Sequence, residues 1–293
     1  MSFTVLDALR MGEQRLRDVP DGRLDAEYLL AEVLHAPRLS LLLDKGRTLT
    51  LGEGAAYEAL LDRRARREPL QYILGVQMFM GFSFRVDERV LIPRYDTEPI
   101  CEAALALLSP GIRALDLCTG SGAIAIALKR LCPGAAMTAV DISGEALTVA
   151  RENAHALCTE VRFLQGDLFS PVKGEEFDLI VSNPPYIPQG ERPRLQREVQ
   201  REPAMALFAG EDGLDFYRRI AKEAPEHLRP GGHVVLEIGD DQYPAVSALL
   251  VHAFEEIQLI YDLGGRPRGI TGRWTGERPF HREGDGDDDR SPI

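Results

Sequence analysis

Asn183-Pro184-Pro185-Tyr186 brings an amide, two prolines and a phenol ring to the point where an apolar run, Phe177-Asp178-Leu179-Ile180-Val181-Ser182, ends. That run mixes β-branched and apolar residues and predicts a buried strand, so the tetrapeptide begins at its C-terminal end. Ligands of open α/β sheets gather outside the carboxyl ends of the strands. Pro184 and Pro185 lack an N–H and have a fixed φ, which stiffens the loop and leaves carbonyl acceptors. Asn183 adds a side-chain acceptor and Tyr186 a flat apolar face. Two converging acceptors beside a ring suit a planar group that carries an NH2, a carboxamide or a nucleobase amine. Taken alone, the tetrapeptide also fits a proline-rich turn leaving a strand.

A second cluster lies upstream. Asp116-Leu117-Cys118-Thr119-Gly120-Ser121-Gly122 joins a predicted strand to a predicted helix. Glycines there let the backbone approach a ligand, and the helix N-terminus favours an anionic group. Asp141, followed by Ile142, ends the next strand about 20 residues on, where an acid suits the hydroxyl pair of a ribose. Asp167-Leu168-Phe169 follows the third strand, where an adenine would lie, and an Asp there can accept from the adenine amine. The turn is not the G-x-G-x-x-G of dinucleotide enzymes. Its leading acid, Asp116, would repel a pyrophosphate and attract an ammonium or sulfonium, which favours S-adenosyl-L-methionine over NAD. Asp116 also fits a strand-end residue capping local N–H groups.

Alternating elements must position these residues. Residues 113–117, 136–141, 161–164, 177–182 and 233–238 read as strands, and 123–131, 145–156 and 214–228 as helices. Such alternation predicts a parallel sheet with helices on both faces. Residues 256–261 and 269–274 are expected to close one edge as an antiparallel pair. Residues 1–70 read as a helical bundle: Leu24, Tyr28, Leu29, Val33 and Leu34, then Tyr57, Leu60 and Leu61, recur at helical spacing, and Thr50-Leu51-Gly52-Glu53 has the form of a capping box. Between bundle and sheet, residues 71–95 read as a hairpin-like connector, with short β-type runs at Gln71-Tyr72-Ile73-Leu74 and Phe82-Ser83-Phe84-Arg85-Val86. The sheet domain is expected to span 96–280, and an acidic disordered tail 281–293.

Composition narrows the class. The chain has 293 residues, enough for two cores, and a net charge of −12, which argues against a protein that grips long stretches of nucleic-acid phosphate. No apolar run approaches the ~20 residues of a membrane helix, and the first residues lack the layout of a signal peptide. Cys101, Cys118, Cys132 and Cys158 are scattered, as expected of reduced thiols in a cytoplasm. The histidines show no ligand spacing, and no metal is expected. The basic cluster Arg63-Arg64-Ala65-Arg66-Arg67 reads as a solvated helix end, with a docking patch for an acidic partner as the alternative.

Taken together, these residues resemble the HemK/PrmC protein-(glutamine-N5) methyltransferases. The likeness rests on Asn183-Pro184-Pro185-Tyr186-Ile187, on Pro69-Leu70-Gln71-Tyr72-Ile73-Leu74-Gly75 and Val90-Leu91-Ile92-Pro93-Arg94, and on Glu202-Pro203, Ala206-Leu207-Phe208, Gly213-Leu214-Asp215, Pro230-Gly231-Gly232 and Glu237-Ile238-Gly239. It implies a Rossmann-like class I methyltransferase sheet behind an N-terminal helical bundle that recognises the substrate. The implied reaction moves a methyl group from S-adenosyl-L-methionine to the glutamine amide nitrogen of the Gly-Gly-Gln motif of peptide chain release factors. The implied substrate and catalytic residues are Asn183, Pro184, Pro185 and Tyr186. Asn183 oxygen and the Pro184 carbonyl would hold the two amide hydrogens, and Tyr186 would fix the amide plane. The implied cofactor set is Asp116, Cys118, Thr119, Gly120, Ser121, Gly122, Asp141, Ile142, Asp167, Leu168 and Asn183. A cytoplasmic monomer without sequence-specific nucleic-acid binding is expected.

Four positions depart from the family pattern. Cys118 stands where the family usually has the first glycine of the loop, and its thiol is expected to fit only with φ below zero, pointing away from the cofactor. Tyr95 and Asp96 replace a proline and a glutamate. Leu168 occupies a position often aromatic, so adenine stacking is expected to be either weaker or supplied by Phe169. Two other readings share the motif: an adenine-N6 nucleic-acid methyltransferase, and a catalytically silent methyltransferase-like binding module.

Overall fold

Thr4 and Thr50 each start a helix by the same device. The threonine oxygen accepts the backbone N–H three residues on, and the acid there, Asp7 or Glu53, accepts the threonine's own N–H. Such reciprocal caps satisfy donors the helix cannot, at about 1 kcal/mol each. The chain is seen in a computed structural model that describes residues 3–276. Helices α1 (Val5–Arg15), α2 (Gly22–Val33), α3 (Arg38–Leu43) and α4 (Leu51–Ala65) enclose a core of Val5, Ala8, Leu16, Leu29, Leu30, Tyr57 and Leu61. Of the residues that marked the second helix, Leu29 is fully buried, whereas Leu24 and Tyr28 are exposed.

The run Gln71-Tyr72-Ile73-Leu74, expected as a β segment, is helical: α5 covers Leu70–Leu74. Pro69 precedes it with no N–H to lose, and Gly75 ends it at φ 72°, so local punctuation overrides the β-type side chains. The hairpin follows as β1 (Val76–Phe79) and β2 (Phe82–Arg85), antiparallel. Its Phe79 and Phe84 pack edge to face and are fully buried against the sheet domain.

Helix α6 (Glu98–Ala106) leads into β3 (Arg113–Leu117), α7 (Ala123–Leu131), β4 (Ala136–Asp141), α8 (Gly144–Ala156), β5 (Arg162–Gln165), β6 (Phe177–Ser182), α9 (Asp215–His227), β7 (Leu228–Glu237), α10 (Tyr243–Leu250), β8 (Phe254–Tyr261) and β9 (Pro267–Trp274). One sheet has the order β5-β4-β3-β6-β7-β9-β8. Strands β5 to β7 in that order run parallel, and β9 pairs antiparallel with both β7 and β8, the edge the sequence anticipated. Alternate residues feed two cores, as a pleat requires. Leu115, Leu117, Ile180, Val234 and Leu236 pack with Tyr217 and Ile220 of α9 and Val246 of α10; Ala114, Leu179, Val181 and Val235 pack with Ile100 of α6 and residues of α7.

Three arginines of the basic cluster are neither solvated nor free for a partner, while Arg66 is exposed as a solvated helix end would be. Arg64 is buried; its Nε donates to Asp25 on α2 at 2.7 Å and its Nη1 to Glu198 at 2.8 Å. Arg67 donates to the other oxygen of Glu198 at 2.8 Å, and Arg63 pairs with Glu68. Glu198 belongs to the long segment between β6 and α9, so these charges clasp the bundle to the sheet domain. Sequence could not show this, because the partner acids lie up to 134 residues away. Glu202, four residues on, is buried and accepts from Ile92 N–H at 3.0 Å and from Arg94, tying the connector to the same segment.

Among the described residues no helix is long and apolar enough to cross a membrane. The acidic tail expected at 281–293 lies outside the described residues.

Candidate active site

Strand order sets the site. The chain runs outward through β3, β4 and β5, then returns to place β6 on the other side of β3, so the crevice between β3 and β6 is a topological switch point. Register aligns the rim: Leu117 lies opposite both Val140 and Ser182, Val140 opposite Leu164, and Ser182 opposite Leu236. One residue further along stand Cys118, Asp141, Asn183 and Glu237.

A cleft of about 210 Å³ opens over this rim. Cys118, Gly120, Asp141, Ile142, Asp167, Leu168, Asn183 and Pro185 line it, together with Ser143, Ala146, Arg219 and Phe216. Val90 and Leu91 of the connector and Pro203, Met205 and Ala206 of the β6–α9 segment complete the wall. Sequence reasoning missed Phe216, on α9, and the Pro203-to-Ala206 stretch. The latter carried a signal, since Glu202-Pro203 and Ala206 were among the family-like blocks.

Asp116, Thr119, Ser121 and Gly122 stand behind the cleft lining, and Pro184 and Tyr186 flank Asn183 and Pro185 without lining it. Asp116 is fully buried, with Oδ2 accepting from Thr119 Oγ1 at 2.6 Å and from Ala125 N–H at 3.3 Å. The strand-end capping anticipated as its alternative role is therefore present. Its Oδ1 is buried with no hydrogen-bond partner, and burial pushes the carboxyl up to about 7 against those two hydrogen bonds. Ser121 is buried, its carbonyl accepting from Asn153 of α8 at 2.9 Å; Asn153 also bonds both backbone groups of Arg85 and so locks the hairpin to the turn. Gly122 has φ 80°, and a Cβ there would meet Ile126 Cδ1 at 2.8 Å and Ala150 Cβ at 3.1 Å, so only glycine lets α7 start against α8.

Gly120, at φ 54°, faces open space where a Cβ would stand, and its N–H donates to Asp141 Oδ2 at 2.8 Å. Ser143 N–H donates to Asp141 Oδ1 at 2.8 Å. Burial raises the Asp141 carboxyl, although N–H donors from Ser143, Gly120 and Ile142 pull the other way. The acid is thus held by backbone at the cleft wall with lone pairs to spare. Asp167 pairs with Arg219 at 2.9 Å.

Two expectations fail here. Cys118 has φ +58°, in the left-handed region rather than below zero, and the residue borders the cleft while its thiol is buried beside Ser182. The loop keeps the conformation a glycine would adopt, so the cysteine carries a strain of about 1–2 kcal/mol. Burial raises its thiol pKa, with the Asp141 and Asp116 carboxylates adding to the effect, so it stays a neutral thiol. Phe169 does not face the cleft: it is buried and stacks on His227, ring centroids 4.8 Å apart. Leu168, at φ +45°, supplies the apolar wall there, with Phe216.

The tetrapeptide is clamped from behind. Pro184 and Pro185 are buried, Gln242 Nε2 donates to the Tyr186 carbonyl at 2.9 Å, and the Tyr186 hydroxyl donates to Glu237 Oε1 at 3.3 Å. Asn183 Nδ2 donates to Thr97 Oγ1 at 3.3 Å, which leaves its Oδ1 as an acceptor. A held amide acceptor therefore stands at the mouth of a cleft whose inner wall offers carboxylates and apolar faces.

Comparison with known proteins decides the family. The family model described as PrmC N-terminal domain matches residues 7–75, and that described as methyltransferase small domain matches residues 104–213. A release factor glutamine methyltransferase of Geobacter sulfurreducens is 43% identical over 92% of this chain and 95% of its own length. One from Moorella thermoacetica is 44% identical over 91% of this chain and 97% of its own. The chain belongs to the release factor glutamine methyltransferase family. A methyltransferase structure from Pyrococcus furiosus, at 22% identity and a TM-score of 0.53, covers 72% of this chain and 98% of its own, and shares the fold. The matched methyltransferase segment covers β3 to β6, and the matched N-terminal segment covers most of α1 to α5.

Proposed function

We propose that this chain transfers the methyl group of S-adenosyl-L-methionine to the side-chain amide nitrogen of the glutamine in the Gly-Gly-Gln motif of peptide chain release factors. The single observation that carries the reading is Asn183, whose amide nitrogen is engaged by Thr97 so that its oxygen is the free acceptor beside the cleft.

The cleft suits the donor. Asp141, held by two backbone N–H groups, would take the ribose hydroxyls; Val140, Leu168 and Phe216 would flank the adenine, and Asp167 would accept its amine. Gly120 leaves room for close approach of the cofactor to the backbone. The unpartnered Oδ1 of Asp116, buried behind the turn, supplies negative charge for the cationic end. When bound, the cofactor supplies an electrophilic methyl group on a sulfonium.

A carboxamide nitrogen is a poor nucleophile because its lone pair is delocalised into the carbonyl. Asn183 Oδ1 and the Pro184 carbonyl accept the two amide hydrogens and aim the nitrogen lone pair into the cleft. Accepting both hydrogens raises electron density on nitrogen as positive charge develops there. Tyr186, held by Glu237 and Gln242, packs against the amide plane. Orientation and electrostatics carry the step, so no general base is required during transfer, and the proton leaves afterwards to water. A single glutamine side chain offers little surface, so the bundle α1–α5 is assigned the remaining contacts with the protein substrate. The reaction belongs where translation terminates, in the cytoplasm.

Incubating candidate release factors with this protein and labelled S-adenosyl-L-methionine, then locating the label by mass spectrometry, tests the reading. A methyl group on the Gly-Gly-Gln glutamine is expected. Asn183→Ala should lower turnover by about 10²–10³ or more while leaving cofactor affinity mostly intact. Label on nucleic acid adenine instead, or near-normal single-turnover transfer by Asn183→Ala, would overturn it.

A further inference from the structure

Glu237 ends β7 one residue beyond Leu236, which pairs with Ser182, so register sets the residue beside Asn183, and its carboxylate meets the tetrapeptide at Tyr186. It is 2% exposed at the end of an apolar strand, an unusual place for an acid. Its Oε1 accepts from the Tyr186 hydroxyl at 3.3 Å, while Oε2 is buried without a hydrogen-bond partner. Thr97, also buried, sits between Glu237 and Asn183. Its oxygen accepts from Asn183 Nδ2 at 3.3 Å, and its hydroxyl is among the groups that interact with the Glu237 carboxylate.

The direction of these bonds matters. A hydroxyl has one proton to give. If Thr97 gives it toward Glu237, its oxygen can only accept from Asn183, and the Asn183 amide must present NH2 to Thr97 and oxygen to the cleft. If Glu237 is neutral, it can donate to Thr97 instead. The Thr97 proton is then released to turn to Asn183, which can rotate its amide and offer the cleft two donors where the substrate needs an acceptor. We infer that Glu237 and Thr97 are positioning residues for methyl transfer, an ionised Glu237 fixing the orientation of the Asn183 amide through the Thr97 hydroxyl. This rests on the proposed use of Asn183 Oδ1 as the acceptor for the substrate amide.

Other charges bear on Glu237. Arg268, half-ringed by Asp96, Asp240 and Asp262, favours its ionised form, the Tyr186 hydroxyl does likewise, and Asp96 opposes it. Burial outweighs them and pushes the carboxyl up to about 7, so the relay changes state near neutrality. Asp116 titrates in the same range, but it lies at the cofactor turn and would act through cofactor affinity rather than through Asn183.

Two measurements test this. The first needs no substrate: side-chain amide resonances of Asn183 in the 15N-labelled protein, assigned by their loss in Asn183→Ala, followed from pH 5.5 to 8.5. A titration with a midpoint near 7 that vanishes in Glu237→Gln is expected; an Asn183 amide indifferent to pH, or one that still titrates in Glu237→Gln, overturns the relay. The second is kinetic, with release factor as substrate. The wild-type kcat should fall toward tenfold per pH unit on the acid side, and Glu237→Gln should be slow without that limb. Thr97→Val should lower kcat by about 10- to 100-fold with KM and cofactor dissociation little changed, and Thr97→Ser should restore most of it. A Thr97→Val enzyme within threefold of wild-type kcat overturns the inference. If the wild type does not methylate release factor at all, the proposed function fails, while the substrate-free titration still decides whether the relay exists.

Discussion

Removing the Arg64 guanidinium should unlock the bundle from the sheet domain, and the cost can be worked from its surroundings. Arg64 donates to Asp25 at 2.7 Å, to Glu198 at 2.8 Å and to the Glu68 carbonyl at 3.2 Å, and its side chain is only 6% exposed. The acids it faces are 9% and 15% exposed, so Arg64→Met leaves two carboxylates with little water to replace the lost partner. Breaking a buried pair from one side costs about 3–5 kcal/mol. Glu198 retains Arg67 at 2.8 Å; burial pushes its carboxyl up, but hydrogen bonds from Arg67 and Arg64 outweigh this and hold it below the ordinary value. Asp25 has no such reserve. Burial already raises its carboxyl in spite of Arg64. The expected loss is therefore about 3 kcal/mol at pH 8, most of it carried by Asp25.

The pH dependence follows from that assignment. An acid whose folded pKa lies above its unfolded value favours folding in its protonated form; that contribution is complete below the unfolded pKa and is lost as pH rises through the folded pKa. Without Arg64 the Asp25 carboxyl moves further up, so the deficit relative to wild type should be greatest at pH 8. It should shrink at pH 5.5, by up to about 1.4 kcal/mol per unit below the new pKa. Urea unfolding followed by circular dichroism at both pH values measures it. Arg64→Met combined with Asp25→Leu, which replaces the pair by apolar groups, should recover at least half the loss. A deficit under 1 kcal/mol at pH 8, or an equal deficit at pH 5.5, would refute the buried-charge reasoning and leave Arg64 as surface decoration.

Three further outcomes follow from the cleft. Asp141→Ala should weaken S-adenosyl-L-methionine binding by about 1.5–3 kcal/mol, the scale of charge-assisted hydrogen bonds, and unchanged affinity by calorimetry would remove Asp141 from the ribose site. Cys118→Gly should stabilise the protein by about 0.5–1 kcal/mol in urea, since relief of the left-handed strain exceeds the entropy glycine adds to the unfolded chain, while Cys118→Ala, which keeps the Cβ, should not; equal effects of the two would deny the strain. Asp116 should make cofactor affinity constant above pH 7 and falling below it, because the carboxyl at about 7 must ionise to face a cation, and Asp116→Asn should abolish that slope; a slope that persists in Asp116→Asn assigns it elsewhere.

What the sequence made legible was whatever depends on neighbours along the chain. The β3 and β6 runs, the glycine turn and the position of Asn183 at a strand end follow from short, largely apolar runs and from glycine and proline punctuation. Where two local signals competed, the weaker was the side-chain propensity: Gln71-Tyr72-Ile73-Leu74 looks like strand, yet Pro69 and Gly75 bracket a helical turn. Cys118 shows the opposite limit. A rule about which residues tolerate positive φ predicts the common case, but here Gly120 and Gly122 on one side and the β3 register on the other already fix the backbone, and the cysteine accepts the strain.

The residues that escaped detection share a physical cause: their partners are distant in sequence. Arg64 reads as one arginine of a solvated cluster until Asp25 and Glu198 are brought to it, and the sign of the argument then reverses from a surface charge to a buried one. Glu237 looked like one residue of a family block, although Val234-Val235-Leu236-Glu237 carries a usable signal, an acid at the rim end of a strand that is otherwise apolar. Buried acids need donors, and donors at such a rim come from the loops that build the site. The Tyr186 hydroxyl meets that need for Glu237, and Thr97, from a different loop, accepts from the Asn183 amide, so the inferred link runs from Asn183 to β7, more than fifty residues downstream. An acid ending an apolar strand in a sheet of this kind therefore points to the loop it steadies on the neighbouring strand, and through that loop to the atom that meets the substrate.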